Sequence, residues 1–270
     1  MTSDDVERTI LAHPLPDLLP ADEGWVMPHY DGLSIANLPA TMAALLTGDD
    51  PAAVLPGSLP PLPDAIWSGW RDGLRRVLLV ILDALGYRLL QKMWAAGEDD
   101  AFARLARGGT LVPLTSVFPS TTDAALVTLS TGRPPAEHAW LAYEIYLREL
   151  GIAANAIQLR PVWGGRSGSL VEWGIDPETM VPVPAMAQEL QKQRIETRAL
   201  YSAYFRDSGF SKMLYRGVKA VRTHLHASDF WTELRALLAD TRGKRALLTA
   251  YWSGLDTVGH VYAPDSDAWR

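Results

Sequence analysis

Asp83, Thr122, Asp256 and His260 carry the side chains in this sequence best suited to work on phosphorus or to hold a divalent cation. Asp83 directly follows the apolar run VLLVIL at 77–82. A carboxylate in that position can be a plain helix N-cap, yet an apolar strand that delivers a charge to a sheet rim also sets up a burial cost of several kcal/mol unless a cation answers it. Thr122 opens the apolar stretch TDAALVTLST. Its hydroxyl can cap the helix. The same place is also an anion site, because free backbone N–H groups and the helix dipole point outward there. A threonine so placed can attack phosphorus once its hydroxyl is activated, for instance by a coordinated metal. Asp256 and His260 form D-x-x-x-H. One helical turn puts both on one side, within reach of a single cation, and carboxylate oxygen with imidazole nitrogen suits Zn²⁺ or Mn²⁺. A solvated helical pair explains the spacing equally well.

The elements that must position these groups are legible as alternating patterns. The run at 77–82 predicts a strand buried on both faces. A helix over 86–96 follows, with Leu89, Leu90, Met93 and Trp94 on one side and Gly97 as its stop. Further strands are expected at 110–114, 198–203 and 246–252, and further helices over 122–131, 185–193 and 229–240. Gly132 and Pro134 end the helix that Thr122 begins. Strands alternating with helices imply an α/β fold, a mostly parallel sheet between helix layers. In such sheets functional groups gather at the carboxyl ends of the strands, where Asp83, Thr122, Asp256 and His260 all fall.

Residues 1–70 differ. Ten of the 19 prolines lie before residue 64, as in LPDLLP and LPGSLPPLPD, and this spacing breaks helix and strand alike. Only 34–46 reads as helical, with Pro39 opening or interrupting it. Trp25, Tyr30, Ile35, Leu38, Trp67 and Trp70 are costly to leave in water, so 1–70 is expected to pack as an irregular arm on a core domain spanning 71–270. A loop-rich excursion is expected near 143–182, with GGRSGS inside it.

The 270 residues carry a net charge of −6, 48% hydrophobic residues and no cysteine. This acidic balance argues against wrapping a nucleic acid duplex or docking on anionic membrane, both of which need clustered positive charge. No apolar run is long enough to span a bilayer. Without cysteine, disulfides and thiol chemistry are excluded. The acidic start MTSDDVERT is no signal peptide, and the expected location is the cytoplasm.

VILDALG, FPSTTDAALVTLSTGRPPAEHA and SGLDTVGH, taken in that order, resemble the type I phosphodiesterase/nucleotide pyrophosphatase branch of the alkaline phosphatase superfamily. The ten-residue step from Thr122 to Gly132 and the TG-x-x-P-x-x-H ending at His138 belong to the likeness. The resemblance implies an alkaline-phosphatase-like fold and a metal-dependent phosphoric ester hydrolase with two divalent ions, zinc or alternatively manganese. Asp83 would ligate one ion, Thr122 would be the nucleophile and contact that same ion, and Asp256 with His260 would ligate the second. A phosphothreonine would form and then be hydrolysed. The substrate would be a small phosphate ester or a nucleotide-like molecule.

The sequence also departs from that pattern. The family's further Asp–His pair and later His do not follow His260, so the chain is expected to be incomplete at its carboxyl end, with weak metal binding and little activity. Ala139 stands where the family usually has glycine, and Tyr143 where nucleotide pyrophosphatases carry a phosphate-binding Asn. Asn155 is a candidate substitute, though a turn or core amide is the simpler reading. A phosphomutase, a phosphonate hydrolase and an inactive fragment or binding module are the rival functions. His138 is expected to orient a loop rather than bind metal, Asp123 to be a first-turn carboxylate favoured by the helix dipole, and His224 and His226 to be edge or loop features.

Overall fold

The computed structural model describes residues 1–13, 24–97 and 101–269. Seven strands occur in it: β1 (Arg76–Leu82), β2 (Glu144–Leu147), β3 (Ile152–Asn155), β4 (Arg160–Pro161), β5 (Glu196–Ser202), β6 (Ala220–His224) and β7 (Ala246–Trp252). β1, β7, β5 and β6, in that spatial order, make a four-stranded sheet in which every pairing is parallel. Helices flank it, giving the α/β architecture that the alternating pattern implies. β7 and β5 are the two inner strands, and in β7 Ala246, Leu247, Leu248 and Ala250 are almost without solvent contact. No helix among the described residues is long and apolar enough to cross a membrane.

β1 departs from its expected burial. Its two faces do pack: Val77 and Leu79 meet Met42, Leu46, Leu190 and Leu247, while Leu78 and Val80 meet Leu234, Leu237 and Leu248. It pairs only with β7, however, so its outer edge keeps the strand half-exposed along most of its length. Apolar periodicity reports both faces of a strand but not whether its edge is covered.

The predicted strand at 110–114 is not formed. Pro113 lacks the N–H a ladder needs, and the isolated parallel bridge nearby, Ser34 to Thr115, falls just after the segment. The excursion near 143–182 is more regular than expected, because β2, β3 and β4 form a small antiparallel sheet. Its Ala154, Ala156, Leu159 and Leu170 join the core formed with Leu126, Tyr201 and Met213.

In the amino-terminal region, residues 15–20, with the first proline cluster, lie outside the described residues. Pro39 stands in the first turn of the helix Leu38–Thr47, where its missing N–H is no loss. Val6, Ile10, Leu33, Leu45, Leu62, Ile66 and Trp67 pack together against Leu74 and Val77. Trp67 is only 1% exposed, and its indole N–H donates to the Leu62 carbonyl at 2.7 Å. Trp25 and Trp70, by contrast, are about half exposed. Replacing Trp67 by Ala is expected to lower stability by roughly 3–5 kcal/mol, and Trp70→Ala to change it by less than about 0.5 kcal/mol. Urea unfolding of the two variants beside the parent checks this difference.

Candidate active site

The parallel register pairs Leu82 with Trp252, which brings the carboxyl ends of β1 and β7 level. The Asp83 N–H continues the ladder, donating to the Trp252 carbonyl at 3.0 Å. Asp83 and the helix Gly254–Tyr262, which carries Asp256 and His260, therefore leave the same sheet end.

The helix Thr122–Thr131 aims its amino terminus at this point. Its cap is Thr121, whose hydroxyl accepts from the Ala124 N–H. Thr122 is thereby freed from the capping role that its sequence position left open. Its Oγ1 donates to Asp83 Oδ2 at 3.2 Å. The phenol of Tyr251, in β7, donates to the same oxygen at 2.7 Å, and Asp83 Oδ1 accepts from the Ala84 N–H at 3.0 Å. The helix runs to Gly132, whose φ of 73° gives the left-handed stop.

Thr122, Tyr143, Tyr204, Tyr251, Asp256 and His260 line one cleft of about 820 Å³. Asp83 is joined to it through its bonds to Thr122 and Tyr251. His260 is 80% exposed, with Nε2 at 3.5 Å from Asp256 Oδ1. Burial pushes the Asp256 carboxyl above its ordinary range, the negative charge of Asp83 adds to this, and His260 opposes it. Burial also raises the Tyr251 phenol, followed by the charge of Asp83, so the phenol stays protonated and acts as a donor.

Whether these residues fit a metal follows from their chemistry. Two carboxylates, a hydroxyl and an imidazole are oxygen and nitrogen donors of the kind zinc and manganese take. The mutual repulsion of Asp83 and Asp256 is what a cation between them would relieve. In kind and charge the donors fit. In number they are few, since no three His, Asp or Glu among the described residues group closely enough to hold one ion.

Sequence reasoning passed over Tyr251, because a tyrosine inside an apolar strand reads as core. Its position becomes telling only in the sheet, where it is paired with Ile81, two residues before Asp83. Asp123, read as a dipole-favoured carboxylate, is 1% exposed, and neither of its oxygens has a hydrogen-bond partner among the described residues. The Asn155 side chain is buried and accepts from the Gln158 N–H at 2.7 Å, as a turn amide would. His224 lies on the edge strand β6, buried edge-on against Phe230, and His226 is the N-cap residue of the helix Ala227–Asp240.

His138 lies wholly inside the protein. Its Nδ1 accepts from the Trp140 N–H at 3.0 Å, which places the ring proton on Nε2, facing Thr128 Oγ1 at 3.0 Å. It thus ties the motif's end back to the helix that Thr122 begins. The intervening Ala139 has a φ of 63°, a conformation that costs alanine more than glycine.

The chain belongs to the type I phosphodiesterase / nucleotide pyrophosphatase family, whose pattern matches residues 77–270. Murine ectonucleotide pyrophosphatase / phosphodiesterase 5, solved as an inactive threonine-to-alanine form in complex with AMP, is similar over 73% of this chain and 48% of its own, with 16% identity and a TM-score of 0.53. That likeness shows the fold. Phosphonoacetate hydrolase from Sinorhizobium meliloti 1021, in complex with phosphonoformate, aligns over 72% of this chain and 49% of its own, with 16% identity and a TM-score of 0.46. The chain therefore spans about half the length of these structures. Comparison with curated proteins finds no match.

Burial holds the His138 imidazole down at about 4, from an ordinary 6.5. The folded state thus keeps the ring neutral where the unfolded chain already takes up a proton. The stability this provides is complete above pH 6.5 and drains away as pH falls toward 4, by roughly 3 kcal/mol over the window. His138→Asn keeps an acceptor for Trp140 and cannot titrate, so its unfolding free energy should fall less steeply between pH 6.5 and 4 than the parent's. Equal slopes in urea titrations would contradict this.

Proposed function

We propose that this protein is a metal-dependent hydrolase of small phosphate esters, diesters and pyrophosphates first, with Thr122 as its nucleophile. The observation that carries the reading is the Thr122 hydroxyl: it stands in the first turn of a helix, is relieved of capping by Thr121, and is bonded to the Asp83 carboxylate. A helix start favours an anion, so a phosphoryl group over Thr122 meets N–H groups and a positive dipole end. Asp83 holds the Thr122 hydroxyl by its proton and directs the oxygen's free lone pairs toward the cleft. Attack of Thr122 Oγ on phosphorus forms the O–P bond while the P–O bond to the leaving alcohol or phosphate breaks, and the departing oxygen takes that electron pair together with the proton Thr122 gives up, relayed by water. Water then cleaves the phosphothreonine and restores the hydroxyl.

Asp83 with Thr122, and Asp256 with His260, are the groups that would hold two divalent ions, zinc or manganese. When bound, such ions lower a hydroxyl's pKa and neutralise charge developing at phosphorus. The cleft has the size of a small-molecule site. AMP in the mouse relative supports a nucleotide-like substrate, and the cysteine-free composition fits a cytoplasmic setting.

Zinc titration of the chain, with hydrolysis of a para-nitrophenyl phosphodiester and of the matching monoester, tests the proposal. With zinc present the diester should be split, at a low rate because the donors among the described residues are few, and Thr122→Ala should lower that turnover roughly 10³-fold while keeping most of the metal affinity. Tight metal binding with neither ester split would favour an inactive binding module. Retained turnover in Thr122→Ala would remove the threonine from its role.

A further inference from the structure

We infer that Tyr251 is a positioning residue: its phenol fixes the Asp83 carboxylate so that Oδ2 faces Thr122. This rests on the proposed role of Asp83. Three donors reach that carboxylate. The Ala84 N–H, from the next residue, takes Oδ1, and the Thr122 hydroxyl, the group proposed to react, takes Oδ2. Tyr251, the third, is brought in from a different strand and takes no part in the chemistry.

The geometry explains why it can do this. Tyr251 is the next-to-last residue of β7 and Asp83 immediately follows β1, and the in-phase parallel pairing of these strands aligns them. The tyrosine ring is buried in the core with Tyr201, Phe210 and Leu214, so its orientation is set by packing. A rigid ring with a hydroxyl at 2.7 Å restrains the carboxylate more tightly than the 3.2 Å bond from Thr122 does. Once Thr122 loses its proton in attack, its bond to Asp83 is gone, and the phenol is then the side-chain donor still holding Oδ2.

A purely structural explanation also exists, since a buried tyrosine hydroxyl needs some partner. The two explanations separate in Tyr251→Phe, which keeps the ring and deletes only the hydroxyl. Zinc affinity is read by competition with a chromogenic chelator, turnover with the chromogenic diester, and folding by melting midpoint and near-ultraviolet circular dichroism. A positioning role predicts zinc bound roughly 10-fold more weakly, kcat reduced on the order of 10-fold with KM within about twofold, and an unchanged fold. A crystal structure of the variant, expected to show the Asp83 carboxylate turned from its parent orientation, gives a reading independent of activity and of melting. Parent-like zinc affinity, kcat and Asp83 orientation in a folded Tyr251→Phe protein would overturn the inference. Asp83→Asn, measured alongside, isolates the reading beneath it: if this variant binds zinc as the parent does, the metal role of Asp83 fails. If it loses zinc while Tyr251→Phe matches the parent in zinc affinity, kcat and Asp83 orientation, only the role given to Tyr251 fails.

Discussion

A single carboxylate oxygen, Asp83 Oδ2, accepts hydrogen bonds from a threonine at a helix start and from a tyrosine in the neighbouring strand. That convergence demands much of the fold. β1 and β7 must lie side by side in parallel and in phase, or Tyr251 misses the carboxylate. The helix Thr122–Thr131 must present its first turn to the same sheet end, and Thr121 must take the capping duty. The buried β7 and its well-packed neighbours meet these conditions with apolar contacts, which leaves the polar groups at the rim free to act on a ligand.

The remaining parts of the motif act on the same geometry from a distance. His138 contacts the second turn of the helix through Thr128 and the following loop through Trp140, locking the two together. Ala139 takes the left-handed turn between them. Together they fasten the segment that follows Gly132 to the helix that Thr122 begins. The carboxylates supply the opposite tendency: Asp83 and Asp256 repel one another across the cleft, as expected of a site shaped for positive charge.

Much of this was legible in the sequence, for physical reasons. β7 and the helix from Thr122 read correctly because one is continuously apolar and the other is apolar all round and closed by Gly132. Asp83, Thr122, Asp256 and His260 stood out because reactive groups at strand ends and helix starts have few bland explanations when they occur together. Other features were hidden. Two adjacent threonines cannot be told apart as helix cap and proposed nucleophile without the helix start in hand. Pro113 was outweighed by its apolar neighbours, so a strand was expected where an extended segment runs. β2, β3 and β4 are too short for period-two alternation to register, and β1's open edge depends on strand order, which local pattern does not contain. Tyr251 was invisible because its role exists only across the β1–β7 register.

The central claim is that Asp83 and Thr122 together face a cation, and locating that cation in space tests it most directly. Crystals of the chain grown or soaked with zinc, measured at the zinc absorption edge, should show an anomalous peak about 2.0–2.2 Å from an Asp83 carboxylate oxygen, with the Thr122 hydroxyl oxygen in its coordination sphere. Zinc bound only elsewhere on the protein, with Asp83 and Thr122 still joined to each other and free of metal, would contradict the account.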